Sequence, residues 1–386
     1  MRFSKNIASL VPSATLAISA RAKQMKAAGE SVIDLSAGEP SFPTPQVGIR
    51  AGSDFVGSGK SGYPPTPGIP DLRAAVAEYV NQSTSLGSAA PPNVLISAGV
   101  KQALFNATYC LFQPGDEVLV PAPYWPTYLA VLKLAGASPV VIPTSWETGF
   151  QLDVTDLDRL ATPATRGLFL NSPGNPNGET YSRELMAEIL TWAGERDLWV
   201  VSDEIYRRLY YGGDSATSAF DVPHEASRVL HLDGISKAFS MPGWRIGYAV
   251  GPEAVIGKMS ALQSQTTSGA AAPSQHAALG VIAAEERDQI VGEFREVLRR
   301  RRDLAVESLT GVPGIECRTP SGAIYLFVRL TGTTDSMTVA EQLLVKGGVA
   351  SVPGEPFGTP GFLRLNYAVS DEELEEGLAR IRTFFS

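Results

Sequence analysis

The sequence predicts an α/β protein with a large domain built on a mostly parallel sheet and a smaller α+β domain. Two observations lead to this prediction. Short β-rich runs alternate with helical segments over residues 94–251, and the pattern changes near Ala284 to a long charged helix, strand-like runs and a final amphipathic helix. The 386 residues, of which 44% are hydrophobic, are enough to bury a large core and to form two domains.

Seven short runs in the first part of the chain are predicted to form strands, because each is rich in β-branched and other apolar residues. They are 94–98, 117–122, 138–143, 167–172, 199–204, 228–234 and 245–251. Between them, helical periodicity predicts helices over 101–111, 125–135 and 182–195. Ser182 is a suitable N-cap for the last of these.

After Ala284 we expect a long charged helix, strand-like residues at 319–330 and 361–369, and an amphipathic helix after Ser370. These elements predict the smaller domain. Four consecutive arginines, 299–302, continue a polar helix that also carries acidic residues, so we expect them to form a solvated helix face.

Composition excludes several classes of protein. A net charge of −8 argues against binding to the nucleic-acid backbone, since such proteins usually present a basic face. Cys110 and Cys317 are too few and too far apart for a disulfide scaffold or a metal knuckle, and the three histidines lack metal-ligand spacing. We therefore expect no metal site.

The N-terminus combines Arg2 and Lys5 with a mildly apolar stretch that could imitate a secretory signal. Pro12 and the charged continuation at residues 21–26 weaken that interpretation. No stretch approaches 18 uninterrupted apolar residues, so no membrane span is expected. A cytoplasmic location is the resulting prediction.

The segment 232–248, LDGISKAFSMPGWRIGY, contains one lysine among mostly small or apolar residues. Partial desolvation of Lys237 would disfavour its ammonium form and free the amine for Schiff-base chemistry. Taken alone, an exposed surface charge is the more common explanation of such a lysine.

This segment resembles the lysine motif of class I aminotransferases, which hold pyridoxal 5′-phosphate (PLP) as an aldimine on that lysine. The resemblance covers nearly the whole chain, from residues 12–23 through the AGEPSFPTP segment at 37–45 to the C-terminal helix. It is strongest to the bacterial branch of aspartate aminotransferases that includes thermophilic enzymes. It implies PLP fold type I, a homodimer, and an active site at the subunit interface.

The resemblance assigns the cofactor phosphate to the start of the helix after residue 98. Gly99, Val100 and Lys101 would lie at that helix start, where free N–H groups and the helix dipole favour an anion. Arg245 would grip the same phosphate through two hydrogen bonds. Tyr63 would reach it from the partner subunit; an ordinary packed turn is the alternative for this tyrosine.

Other residues are assigned to the cofactor ring. Asp203, at the carboxyl end of a predicted strand, would keep the pyridine nitrogen protonated. Tyr206 and Asn175 would hydrogen-bond the ring's 3-oxygen, and Trp125 would stack on the ring. Asn175 lies in a segment whose residues all favour turns, and Trp125 could be an ordinary core residue. The resemblance also makes Asn175 and Trp125 substrate contacts.

For the substrate, Arg364 matches the family arginine that pairs with the α-carboxylate, and Gly38 matches a backbone contact to the same group. The loop at 263–276 contains no arginine for a second carboxylate. Members of this branch that accept dicarboxylates instead use a lysine and a hydroxyl, which match Lys101 and Ser13. The resemblance therefore favours aspartate and glutamate.

The sequence thus predicts a PLP-dependent aminotransferase acting on an amino acid and a 2-oxo acid, with Lys237, Asp203 and Tyr206 as catalytic residues. The alternatives are a prephenate or aromatic aminotransferase, a PLP-dependent lyase, and a non-enzymatic binding protein. We expect a large PLP-binding domain over 46–285, a small domain combining 13–45 with 286–386, and an N-terminal arm over 1–12.

Overall fold

The computed structural model describes residues 5–8, 10, 12, 14–222 and 228–386. The strands are β1 (Ile33–Asp34), β2 (Val94–Ser97), β3 (Glu117–Pro121), β4 (Ser138–Ile142), β5 (Thr165–Asn171), β6 (Trp199–Asp203), β7 (Val229–Gly234), β8 (Gly247–Val250), β9 (Ile315–Glu316), β10 (Tyr325–Leu330), β11 (Val349–Ala350), β12 (Val352–Pro353) and β13 (Phe362–Asn366).

The helices are α1 (Lys5–Ala8), α2 (Ala14–Ala27), α3 (Gln46–Gly57), α4 (Pro70–Ser83), α5 (Val100–Leu111), α6 (Thr127–Ala135), α7 (Val154–Leu160), α8 (Arg183–Glu195), α9 (Glu253–Thr266), α10 (Ala272–Ile282), α11 (Arg287–Leu309), α12 (Ser336–Gly347) and α13 (Asp371–Phe385). The three helices predicted between the strands are confirmed as α5, α6 and α8, with small shifts at their starts. Ser182 caps α8 by accepting a hydrogen bond from the backbone N–H of Leu185.

Seven strands form one sheet in the order β2-β8-β7-β6-β5-β3-β4, and they are the seven runs predicted from the sequence. Strands β3 to β7 pair in parallel, whereas β8 is antiparallel to both of its neighbours. The chain returns from β7 to β8 through residues 235–246, which contain a short 3₁₀ turn rather than a crossover helix. An antiparallel return is the consequence.

Helices cover both faces of this sheet, which explains why its strands are almost continuously apolar. Alternate side chains of β5 enter different cores: Phe169 packs with residues of α5 and α6, whereas Leu168 and Leu170 pack with residues of α4 and α8. The ends of the central strands therefore lie between two helical layers.

The later part of the chain forms a four-stranded antiparallel sheet in the order β12-β13-β10-β9, together with α11, α12 and α13. Strand β1 pairs in parallel with β11, so residues near the N-terminus join this part of the structure. The α/β architecture with a second, α+β unit agrees with the predicted fold class. The predicted domain boundaries stay predictions.

The prediction of a solvated face for the arginines of α11 is wrong for two of them. Arg301 is mostly buried, with its Nε 2.6 Å from a carboxylate oxygen of Asp371 at the start of α13. Arg302 is also mostly buried and lies 4.6 Å from the centre of the Tyr211 ring. These arginines join α11 to its neighbours through partners that are distant in sequence.

Among the described residues, no helix has the length and apolar character needed to cross a membrane. The described part of the chain likewise contains no cluster of histidine, cysteine and acidic side chains suited to a metal ion.

Strand β8 approaches the start of α5 closely at Gly247, and a substitution there tests this approach. A Cβ at this position would lie 2.3 Å from the backbone nitrogen of Val100. We expect Gly247→Ala to lower the free energy of unfolding by about 1–3 kcal/mol, because the strand or the helix must move. Urea unfolding measures the change. Gly257→Ala is the control: it lies in α9 with no atom within 4 Å, and should be neutral or stabilising. Equal stabilities for both variants would contradict the close approach.

Candidate active site

A cleft of about 390 Å³ opens between the carboxyl ends of the central strands, the start of α5, and strand β13. Most of the residues predicted for the site line it. They are Gly38, Val100, Lys101, Trp125, Asn175, Asp203, Tyr206, Lys237, Arg245 and Arg364. Gly99 directly precedes α5, Tyr63 does not line the cleft, and Ser13 lies outside the described residues.

Lys237 lies in the turn after β7 and extends its amine into the cleft. Its Nζ donates a hydrogen bond to the carbonyl of Gly38 and lies 5.7 Å from the centre of the Tyr206 ring. Burial lowers the pKa of Lys237, and the positive charge of Arg364 lowers it further. At a given pH, a larger fraction of Lys237 is therefore in the neutral amine form than for a solvated lysine.

Asp203 is the last residue of β6 and is only 3% exposed. Its carboxylate accepts hydrogen bonds from the Tyr128 hydroxyl at 2.8 Å and from the backbone N–H of Ile205 at 3.3 Å. Burial raises the pKa of Asp203 to about 6, although both hydrogen bonds act in the opposite direction. A cationic partner in the cleft would stabilise the ionised form.

Tyr128 was not among the predicted site residues. Its place in the segment APYWPTY, three residues after Trp125, is the sequence signal that could have identified it. Trp125 itself is half-buried and lines the cleft, so it is not an ordinary core residue.

Arg364 in β13 is a buried cation, 2% exposed. Its guanidinium donates to the Asn175 side-chain oxygen at 3.0 Å and to the Ser36 carbonyl at 2.8 Å, and it stacks 4.3 Å from the Tyr325 ring centre. Within the described chain its Nε has no hydrogen-bond partner and no carboxylate lies within ion-pair distance. A buried cation in this state can accept an anion from the cleft.

The start of α5 forms a second anion-binding arrangement. Gly99 has φ +84°, and a Cβ there would lie 2.4 Å from Nη2 of Arg245, so only glycine lets the guanidinium come so close. Arg245 is exposed at the cleft and donates to the Pro242 carbonyl at 3.0 Å. Free N–H groups at the helix start and this guanidinium together suit a phosphate.

Lys101 lies at the mouth of the cleft, where its Nζ is 4.9 Å from the centre of the Trp125 ring. Partial burial and the nearby charge of Arg245 lower its pKa. The residue remains exposed, so its ammonium group is accessible to a ligand in the cleft.

Two further residues position the predicted ones. The hydroxyl of Tyr325 lies 2.7 Å from that of Tyr206, and a Cβ on Gly38 would lie 3.0 Å from the same Tyr325 oxygen. The side-chain amide of Asn171 donates to the Asp203 carbonyl at 2.9 Å, and its oxygen accepts from the backbone N–H of Asn175 at 2.8 Å. Sequence analysis missed both: Tyr325 comes from a distant strand, and Asn171 was not singled out although, like Asp203, it lies at the carboxyl end of a predicted strand.

Comparison with known proteins gives the class of this protein. Residues 30–381 match the family Aminotransferase class I and II. An aspartate aminotransferase of Streptomyces avermitilis is 40% identical, with the alignment covering 100% of this chain and 97% of the relative. An aspartate/prephenate aminotransferase of Thermus thermophilus is 39% identical over 98% of this chain and 97% of the relative.

A solved structure of aspartate aminotransferase from Thermus thermophilus with maleate superposes with a TM-score of 0.95 at 39% identity, and each chain is covered completely. The chain therefore belongs to the class I and II aminotransferases. It is an aminotransferase that uses pyridoxal phosphate, as the sequence predicted.

Asp203→Asn tests the burial of the carboxylate in the cofactor-free protein. The folded-state pKa, about 6, lies above the unfolded value of 3.8, so folding favours the protonated acid. This stabilisation is complete below the unfolded pKa and is lost as the pH rises through about 6. The difference of roughly two pH units between the folded and unfolded pKa values corresponds to about 3 kcal/mol in the free energy of unfolding.

Asparagine does not titrate, so the stability of Asp203→Asn relative to the wild type should increase by up to about 3 kcal/mol between acidic and slightly alkaline pH. Urea unfolding of both proteins at a pH below and a pH above this range measures the change. A difference that is constant with pH would show that the carboxylate is not held in a desolvated site.

Proposed function

We propose that this enzyme transfers the amino group of aspartate or glutamate to a 2-oxo acid. One observation carries the proposal: among the basic side chains that line the cleft, Arg364 is buried and Lys101 is exposed, so the two lie at different depths. A dicarboxylic amino acid presents two carboxylates that could meet them. The Thermus thermophilus structure described with maleate, itself a dicarboxylate, supports the same substrate class.

The donor groups of the cleft fit pyridoxal phosphate. Arg245 and the start of α5 would hold the phosphate, and Asp203 would hold the protonated ring nitrogen. Tyr206 and Asn175 line the cleft together with Lys237 and would bond the ring's 3-oxygen. The cofactor, when bound, withdraws electrons from the amino acid's Cα and so makes its proton acidic.

Lys237 is the proposed proton carrier. As a free amine, Lys237 would accept the proton of the substrate Cα at its Nζ and release it again later in the reaction. Its lowered pKa suits this role, because a base must be neutral to accept a proton near neutral pH. Tyr206, linked by its hydroxyl to Tyr325, would hold the ring oxygen in a fixed position.

Arg364 is proposed to bind the α-carboxylate of every substrate. Asn175 and the Ser36 carbonyl each accept one hydrogen bond from its terminal nitrogens, and the positive charge of the guanidinium is not neutralised by a carboxylate among the described residues. Gly38, which lines the same cleft and whose carbonyl accepts a hydrogen bond from Lys237, would contact the α-carboxylate through its backbone. Lys101, with Ser13, would bind the distal carboxylate.

We also propose a homodimer in which Tyr63 binds the cofactor phosphate of the other subunit. Tyr63 is 96% exposed, which is unusual for a tyrosine and leaves its ring and hydroxyl free for a partner. A cytoplasmic location and the domain boundaries given above stay predictions.

The assignment of Lys237 predicts the site of covalent cofactor attachment. Borohydride reduction of the loaded enzyme should leave a pyridoxyl group on Lys237, which peptide mapping by mass spectrometry detects. Lys237→Ala should still bind the cofactor through its phosphate and ring contacts but lose turnover. Label on another lysine would overturn the assignment.

The assignment of the two cations predicts different specificity changes. Lys101→Ala should lose about 1.5–3 kcal/mol of binding to a distal carboxylate, or roughly 10- to 150-fold in kcat/KM for aspartate. Alanine as donor should be little affected. Arg364→Ala should penalise both donors, because both have an α-carboxylate. The measurement is the ratio of kcat/KM for aspartate to kcat/KM for alanine, in the wild type and in Lys101→Ala. An unchanged ratio in the variant would refute the assignment of Lys101 to the distal carboxylate.

The proposed composite site predicts complementation between subunits. Tyr63→Ala and Arg364→Ala homodimers should each have low activity. If Tyr63 serves the other subunit, a mixed dimer of the two variants contains one intact site and should recover activity after the subunits are exchanged. Size-exclusion chromatography with light scattering gives the oligomeric state. A monomer, or mixed dimers without recovery, would contradict the proposal.

A further inference from the structure

The turn that carries Lys237 contains a buried serine with an uncommon backbone conformation. Ser240 has φ +50°, in the left-handed region that favours glycine, and it is only 3% exposed. Its backbone N–H donates to the Lys237 carbonyl at 3.1 Å, so this conformation closes the turn. Its neighbours Ala238, Phe239 and Met241 are buried and apolar. Glycine would close the same turn with less strain, so the hydroxyl rather than the backbone accounts for a serine here.

The Ser240 hydroxyl reaches the segment 36–42, which contributes to the wall of the cleft. It donates a hydrogen bond to the Phe42 carbonyl at 2.7 Å. Four residues earlier in the same segment, the Gly38 carbonyl accepts a hydrogen bond from Nζ of Lys237. The lysine turn therefore contacts the segment 36–42 at two points, one through an amine and one through a hydroxyl.

The segment 36–42 is in turn attached to β13. Three hydrogen bonds join it to that strand and to the residues that follow: Arg364 to the Ser36 carbonyl at 2.8 Å, Asn366 to the Glu39 carbonyl at 3.1 Å, and the Ser41 N–H to the Ala368 carbonyl at 2.9 Å. Gly38 and Arg364, the two residues proposed to bind the α-carboxylate, thus belong to one connected assembly.

The ring of Phe42 packs against α11. It stacks on Phe294 with the ring centres 4.4 Å apart and the planes 3° from parallel. The guanidinium of Arg301 lies 5.4 Å from the centre of the Phe42 ring. These contacts fix the position of Phe42, so the Ser240 hydroxyl donates to a carbonyl that is already held in place.

The two contacts between the lysine turn and the segment 36–42 differ in how long they can last. In the proposed function the Lys237 amine carries a proton, so it cannot stay bonded to the Gly38 carbonyl throughout the reaction. The hydrogen bond from Ser240 to Phe42 does not involve that amine. It is therefore the contact that can persist while a substrate is bound.

We propose that Ser240 is a positioning residue for substrate binding, which holds the segment 36–42 and β13 in a fixed place relative to the lysine turn. The proposal rests on the function proposed above, in which Arg364 and Gly38 bind the α-carboxylate. Ser240 does not line the cleft and acts through the Phe42 carbonyl. Without this hydrogen bond the carboxylate site can shift, and ordering it on binding reduces affinity.

The test compares cofactor-loaded Ser240→Gly with the wild type. Glycine keeps the left-handed turn and removes only the hydroxyl. KM should rise roughly 3- to 10-fold for aspartate and alanine alike, with kcat within about 2-fold, because one hydrogen bond that supports ground state and transition state equally is lost. Maleate, a dicarboxylate without an amino group to transfer, should bind more weakly by the same factor in isothermal titration calorimetry.

Ser240→Ala separates the loss of the hydroxyl from a loss of stability. Alanine also lacks the hydroxyl but is strained at φ +50°, so its thermal midpoint should lie roughly 1–3 °C below that of Ser240→Gly. Both variants should nevertheless show the same increase in KM. Asp197→Gly is the matched control: Asp197 has φ +59° and precedes β6, whose other end carries Asp203. It should bind maleate as the wild type does.

The outcomes separate this inference from the function on which it rests. If Arg364→Ala binds maleate as tightly as the wild type, the assignment of the carboxylate site fails, and the role of Ser240 fails with it. If Arg364→Ala weakens binding while Ser240→Gly matches the wild type, only the role of Ser240 is overturned. An increase in KM in Ser240→Ala alone, or unfolding of both variants, would assign the serine to stability and overturn the proposal. A larger loss for aspartate than for alanine would also contradict it.

Discussion

The active site depends on the burial of two ionisable groups at the ends of neighbouring parallel strands. Asp203 ends β6, and Lys237 follows the end of β7 by three residues. Each would lose much of its hydration as an ion, which raises the pKa of the acid and lowers that of the amine. Burial at the end of the sheet therefore favours the protonated acid and the neutral amine, which are the less populated forms of these groups in water near neutral pH.

The sheet can hold these groups because its ends are enclosed by other elements. Asp203 receives the hydroxyl of Tyr128 from α6, and Lys237 is bonded to the carbonyl of Gly38, which precedes α3. Arg364 arrives from the antiparallel sheet and is held by the Ser36 carbonyl. The cleft is thus formed where the two units of the chain meet, and its charges come from both.

Much of this arrangement could be predicted from the sequence, because strand periodicity and local motifs are local signals. Strands β2 to β8 and the position of Lys237 after β7 follow from such signals. Tyr325 and the ion pair between Arg301 and Asp371 could not be predicted, since their partners are far away in sequence and only the tertiary fold brings them together. The burial of Arg207 could not be predicted either, because within the segment DEIYRRLYY an arginine is typical of a surface charge.

In the proposed reaction the enzyme takes an amino group from aspartate and keeps it until a 2-oxo acid arrives. The most direct measurement mixes the cofactor-loaded enzyme with aspartate in the absence of any 2-oxo acid, and follows oxaloacetate and ammonia together. We expect one oxaloacetate per active site, no ammonia, and a reaction that stops until an acceptor is added. Continued turnover with release of ammonia and no need for an acceptor would contradict it.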